Sequence, residues 1–306
     1  MIGNSCQDIP TDEPVRSNKT IGFARRTDRL MTGVLGLCLA VTLGPLFLIL
    51  GYLIYQGLGA VSWEFFVNLP KPVGEAGGGM ANALVGSAML VGVATLLAVP
   101  IGLLAAIYLT EYRARTLAPT VRFVGELLGG VPSIVIGIFA YTVIVRSSHT
   151  LFDGRGLYGW AGAFALAIMM IPIVMRASEE ALKLVPAGLR QASYALGANQ
   201  WQTLLRVTVP AALPSIITAV FLAIARIVGE TAPLLLTAGM NRYWPSSLAD
   251  YTPSLPVYIF NYANSPYEDW HHQAWAAALL LLTIVMLLNF GIRFLTGARI
   301  SAGRSD

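Results

Sequence analysis

The chain has 306 residues, of which 56% are hydrophobic and only 12% charged, with a net charge of +4. A mean hydropathy of +0.65 and apolar blocks of about 20 residues, the length that spans a bilayer, exclude an ordinary soluble domain, in which about 25% of residues are charged. The basic residues flank apolar blocks instead of forming a patch with interleaved aromatics, which argues against nucleic acid as a partner and for membrane lipid.

Residues 1–29 read as a flexible cytoplasmic segment, rich in Ser, Thr, Asp and Pro and ending in the basic run Arg25, Arg26, Arg29. The next apolar block exceeds the h-region of a secretory signal, so no cleaved leader is expected. Cys6 and Cys38 suggest no disulfide framework. Six transmembrane helices are predicted, over about 30–55, 82–109, 124–145, 157–175, 211–238 and 275–295. Pro45, Pro100, Pro132 and Pro172 fall inside them, where proline is tolerated and kinks a helix.

Six spans put both termini on one side. Only Lys71, Arg146, Arg155 and Arg242 fall on the other; every remaining lysine and arginine except Arg226 lies on the side of the termini. Both termini are therefore expected in the cytoplasm. The outer loops hold Trp63, Trp244, Trp270 and Trp275, which suit interfacial anchoring. His271 and His272 are adjacent and lack a spaced third ligand, so they read as loop residues and no metal site is expected.

In the third predicted helix, Gly129, Gly130, Pro132, Ser133 and Gly137 stand close together. Two readings are open: small residues that let helices pack, or a backbone break lining a cavity in which Ser133 meets a substrate.

The fourth loop, Arg176 to Pro214, is the most patterned. Glu179 with Lys183, and Arg176 with Glu180, are spaced to pair on a helix that continues the fourth span. Pro186 ends that helix and opens another. Leu189, Ala192, Ala195 and Leu196 give the new helix an apolar stripe, and Gly197 stands where a helix turns off. The stretch from Trp201 to Val209 then leads to Pro210 and back into the membrane. This loop is either an amphipathic connector or a docking element for a soluble partner.

The fifth span holds Arg226 and Glu230. An ionised group near the bilayer centre costs about 2.5–3.5 kcal/mol on insertion scales, so such groups face a bundle interior or a wet cavity. Their spacing lets them pair on one helical face. Either they only lock helices together or they line a path.

These motifs carry a resemblance. The fourth loop is similar to the coupling segment of binding-protein-dependent ABC permeases, Glu-Ala-Ala, three residues, Gly, nine residues, Ile-x-Leu-Pro. Gln191, Ala192 and Ser193 stand at the first three positions, Gly197 at the glycine, and Val207, Val209 and Pro210 at the end. Gln191 departs from the glutamate, which removes any salt bridge expected there. "GGGMANALVGSAMLVG", "GGVPSIVIGIFAY" and "ARIVGETAPLLLTAG" resemble the permeases of the high-affinity phosphate importer, and "GETAPLLLTA" its A-type subunit, where the C-type typically has "GETMAV".

The resemblance implies an all-α integral membrane fold. A permease core over 80–297, with a coupling segment at 186–210, would form five of the six helices. An additional helix over 30–56 would precede it. It implies a prokaryotic plasma membrane and a heterodimer with a C-type permease subunit. The remaining partners would be two cytoplasmic ATPase subunits using ATP and Mg and an extracytoplasmic phosphate-binding protein. On this reading Arg226 offers forked donors to phosphate and Glu230 offsets its charge. Arg176 receives the anion on exit or pairs with Glu180, and Ser133 contacts substrate or only packs.

The chain carries no phosphate-cradling loop of its own: Lys19, Lys71 and Lys183 are its only lysines, and the one before a threonine, Lys19, follows Asn18 rather than glycine. It is expected to be no enzyme itself and to hold no cofactor. A permease for another small anion and an ion-coupled secondary transporter remain as alternatives.

Overall fold

The computed structural model describes residues 18–73, 75, 77–111, 117–148 and 156–302, with side chains described over 27–291 of these. Most of the N-terminal segment read as flexible lies outside them. Two units are distinguished, Met1–Tyr52 and Leu53–Asp306.

The first unit is described through the part of α1 (Asn18–Ala60) up to Tyr52, and this helix already includes residues assigned to the polar segment. From Thr27 the helix is long and apolar enough to cross a membrane, and Leu35 and Leu48 are exposed.

The second unit is built of helices joined by loops, with no strand among its described residues. A short α2 (Trp63–Val67) precedes the long α3 (Ala81–Glu111). Then follow α4 (Leu117–Gly130), α5 (Ser133–Ala140) with a π-helical extension to Arg146, and α6 (Tyr158–Lys183). Next come α7 (Ala187–Ala195), α8 (Gln200–Thr203), a π-helical turn over Leu204–Thr208, and α9 (Val209–Ile227). The chain ends with α10 (Ala232–Leu236), α11 (Leu255–Ala263) and α12 (Glu268–Ala302).

The centre of this unit is the seam between α3 and α6. Leu90, Ala94, Ala98, Gly102 and Ala106 recur every fourth residue along α3 and are all buried, so one face of the helix is nearly flat. A Cβ at Gly102 would stand 2.9 Å from Val174 Cβ on α6. Ala163, Leu166, Ala167 and Met170 of α6 fill the facing side, with Ala223 and Ile227 of α9 closing it. Small residues at this spacing let two membrane helices approach closely, and dispersion between them replaces the missing hydrophobic drive.

Two predicted spans are not continuous helices. The third consists of α4 and α5, bent by 102°. Pro132 disfavours helix at Val131 and gives no N–H to the carbonyl of Leu128, while Gly129 and Gly130 weaken the last turn. Pro132 then starts α5 from an extended ψ of 136°. The fifth span begins earlier than expected, at Gln200, and stops at Ile227. Gly229 and Pro233 part it from α10, because Pro233 has no N–H for the Gly229 carbonyl. Pro100 and Pro172, by contrast, leave α3 and α6 unbroken. With the bent pair taken as one span, six membrane spans are present among the described residues.

The aromatic anchors also divide. Trp63 is exposed, whereas Trp270 stacks on Tyr262 at 4.3 Å and lies beneath Arg242. Its ring packs within the protein.

Candidate functional site

A cavity of about 510 Å³ opens where the two broken spans meet. Glu126 comes from α4, Gly129 and Gly130 from the bend, Ser133 and Ile136 from α5, Pro172 and Arg176 from α6, Arg226 from α9, and Glu230 from the break that follows. Thus Ser133, Arg176, Arg226 and Glu230, four residues singled out from three separate stretches of sequence, line one space.

Local structure places each of them. Arg226 sits in the last turn of α9, where a cation complements the helix dipole. Ser133 opens α5, whose first amides add partial positive charge on the same cavity. Gly137 allows α5 to lie against the start of α10, since a Cβ there would stand 2.8 Å from Pro233 Cα. The two breaks therefore support each other across this contact.

The expected pairing of Arg226 with Glu230 is not what the geometry gives. Helix ends at Ile227, and the Glu230 N–H donates to the Ile227 carbonyl at 3.2 Å in a turn. The one-turn spacing assumed for a helix no longer applies, and no ion pair joins the two among the described residues. Arg226 is exposed and Glu230 half-buried, so both present charge to the cavity.

The ion pair found for Arg176 among the described residues is with Glu126, not the expected one with Glu180. Arg176 Nη2 lies 3.9 Å from Glu126 Oε1, beyond hydrogen-bond length, and more than half of each side chain is exposed. Such a pair is worth little in itself. Glu180 is held by Lys183 at 2.6 Å, and Lys183 also reaches Glu179 at 3.0 Å, as the spacing predicts. The buried Glu179 accepts in addition from Arg122 of α4.

Glu126 escaped the sequence reading. Its signal was present: an ionisable residue in "RFVGELLGGVPS", inside a predicted span, obeys the rule that drew attention to Arg226. The cavity thus carries two guanidinium and two carboxylate groups.

The patterned loop forms a second feature. None of the residues of α7 is buried. Leu189, Tyr194, Leu196 and Trp201 are exposed, and a groove of about 510 Å³ runs past Leu189, Ala192, Ser193, Gly197 and Val207. Gly197 has φ +84° and open space at its Cβ position. Its N–H donates to the Tyr194 carbonyl and that of Ala198 to Ser193, at 2.9 and 3.2 Å, which is a Schellman ending that favours glycine. A capping box between Asn199 and Gln202 starts α8. Gln191 and Ala192 are exposed, Val209 is half-buried and Pro210 stands near the start of α9. Pro210 also withdraws the N–H that the Arg206 carbonyl would accept, and the backbone before it is wound as a π-turn.

The family described as binding-protein-dependent transport system inner membrane component matches residues 98–299. The chain belongs to that family. The match takes in the coupling segment and all five residues with charged or hydroxyl side chains that line the cavity. The phosphate transport system permease protein PstA of Haemophilus influenzae is 42% identical over 282 residues, covering 91% of this chain and 98% of that protein. The protein of the same name from Yersinia pestis is 44% identical, covering 76% and 78%. PstA 1 of Mycobacterium tuberculosis is 36% identical over 271 residues, covering 85% of this chain and 85% of that protein.

Solved structures share the fold. The bacterial ABC transporter involved in import of the acidic polysaccharide alginate aligns with a TM-score of 0.63 at 14% identity, covering 91% of this chain and 99% of that one. The inward-facing MetNI methionine ABC transporter aligns at 0.58 and 20%, covering 72% and 95%. This inner membrane component is accordingly an all-α, multi-pass membrane protein of a transport system.

Proposed function

We propose that this chain is the A-type permease subunit of an ATP-driven importer of inorganic phosphate. The observation that carries the reading is its 42% identity to a phosphate transport permease across 98% of that protein's length. The cavity supports it chemically. Arg226 and Arg176 supply forked donors for a tetrahedral oxyanion, the first amides of α5 and the Ser133 hydroxyl add neutral donors, and Glu230 and Glu126 keep the net charge low enough for the anion to leave.

The path is completed by a C-type permease subunit facing this cavity. Two ATPase subunits seat on α7 and its groove, binding ATP and Mg in their own chains. A phosphate-binding protein delivers the anion from outside, and both termini lie in the cytoplasm. Movement of α7 with the ATPase changes access to the cavity through the bend between α4 and α5 and the break after α9.

The test is phosphate uptake by vesicles holding the complete complex, with the binding protein supplied on the extracytoplasmic face. Vanadate-sensitive uptake that requires ATP is the expected result. Uptake of a different small anion in place of phosphate would overturn the substrate. Uptake driven by an ion gradient without ATP would overturn the reading altogether.

A further inference from the structure

Helix α7 has no buried residue, so its attachment to the membrane helices rests on a few side chains. Ser193 and Thr203 exchange one hydrogen bond at 2.9 Å, and that ties α7 only to the neighbouring α8. Among the described residues the longer-range hydrogen-bonded tether is Arg190. Its Nη1 donates to Glu111 Oε1 at 3.0 Å, and its Nη2 donates to the Leu182 carbonyl at 3.0 Å.

The two acceptors belong to the two helices of the central seam. Glu111 is the last residue of α3, with only 9% of its side chain exposed. Leu182 lies in the last turn of α6 and is fully buried. One guanidinium therefore fastens the exposed α7 to the ends of both. The fork is planar and its two bonds are fixed relative to each other. A displacement of α7 is passed to both helix ends together, while the seam keeps α3 and α6 from parting. A lysine in its place would offer a point charge on a flexible stem, which cannot hold both acceptors in one geometry.

We infer that Arg190, held by Glu111, is the positioning residue that transmits movement of the coupling helix to the membrane core. This rests on the reading of α7 as the ATPase-docking element. Docking determines whether the ATPases assemble on the chain and hydrolyse ATP. The Arg190 fork determines whether that hydrolysis moves the path.

The experiment compares Arg190→Met, Arg190→Lys and Glu111→Gln in the reconstituted full complex, measuring binding-protein-stimulated ATP hydrolysis and phosphate uptake in the same vesicles. The expected result for Arg190→Met is an assembled complex that hydrolyses ATP at a rate near the parent, with uptake per ATP reduced about tenfold or more, since both hydrogen bonds of the charged fork are lost. Arg190→Lys falls between that variant and the parent. Glu111→Gln, which keeps an acceptor oxygen but loses the charge, has a smaller effect of the same kind.

A purely structural tether would lower the amount of assembled complex and leave uptake per ATP unchanged, and that outcome in Glu111→Gln overturns the inference. Failure of Arg190→Met to assemble, together with parental uptake per ATP in Glu111→Gln, overturns it as well. Failure of the docking reading itself looks different: Ala192→Trp, which places bulk at the groove from a helical position, would then assemble, hydrolyse ATP and transport normally.

Discussion

The α3–α6 seam and the cavity between the broken spans use the same residue types for opposite ends. Both rely on small residues, mostly alanine at the seam and glycine at the cavity, and both involve helices that contain proline. In the two seam helices Pro100 is exposed and Pro172 is buried facing the cavity, yet both sit among strong helix formers with no glycine pair before them, and the helices run on. At the cavity, Pro132 follows Gly129 and Gly130 and is itself followed by Ser133, and the helix yields. A proline in a membrane helix sets only a weak point. Whether it becomes a break depends on the residues before it and on what the neighbouring helix offers in return. The seam supplies rigidity, and the breaks supply polar groups and space.

The sharpest way to break that comparison is to spoil the rigid half. Gly102→Leu forces a side chain to within contact range of Val174 and the Ile171 carbonyl, where a Cβ alone would stand 2.9 and 3.1 Å away. Overpacking of this kind costs about 1–3 kcal/mol or more. Loss of monodisperse protein from detergent extracts is expected. Gly92→Leu on the same helix, where nothing lies within 4 Å of the Cβ position, serves as the control and should be recovered at parental yield.

Spoiling the polar half should leave the fold intact and abolish function. Arg226→Gln removes the forked cation from the end of α9. Uptake is expected to fall roughly 100-fold, about 3 kcal/mol, as for the loss of strong charge-assisted bonds to an anion. Assembly and ATP binding should persist, because Arg226 has no ion pair to break among the described residues. Parental uptake in this variant would make Arg226 a structural residue.

A weaker effect is expected from Glu126→Gln. It frees Arg176 from its loose partner at 3.9 Å and makes the cavity more positive. The anion is then held more tightly and released more slowly, so that KM and the maximal rate of uptake should fall together by about threefold, the scale of an exposed pair. A raised KM would show instead that Glu126 takes part in binding.

How much of this was legible beforehand depends on the range of the interaction. Hydropathy located every long apolar helix, because burial in lipid is decided within a single segment. The four expected path residues met in one cavity because intramembrane charge and a Gly-Gly-x-Pro-Ser run are each exceptional on local grounds. The 102° bend was not legible, since a straight helix with a proline kink and a broken one have the same composition. The Arg226–Glu230 pairing failed for the same reason: it assumed a helix beyond Ile227. Glu126 was visible to the rule that found Arg226 and was passed over. The fork from Arg190 to Glu111 spans 79 positions of sequence, and no periodicity reports a contact of that length.

The smallest effect is the one that decides what the bend is for. Ser133 lines the cavity at the first turn of α5, and its hydroxyl has no protein hydrogen-bond partner among the described residues. Ser133→Ala keeps the Cβ and the backbone that start the helix, so packing against α10 through Gly137 is untouched. If the hydroxyl donates to the anion as it enters, its loss removes one neutral hydrogen bond, about 0.5 kcal/mol, and raises the KM for uptake roughly twofold with little change in the maximal rate. If the bend serves only to bring helices together, KM stays at the parental value. Gly137→Leu cannot make this distinction, since it forces α5 away from Pro233 and lowers transport on either account. The KM of Ser133→Ala therefore separates a break that builds a binding surface from one that merely lets two helices meet.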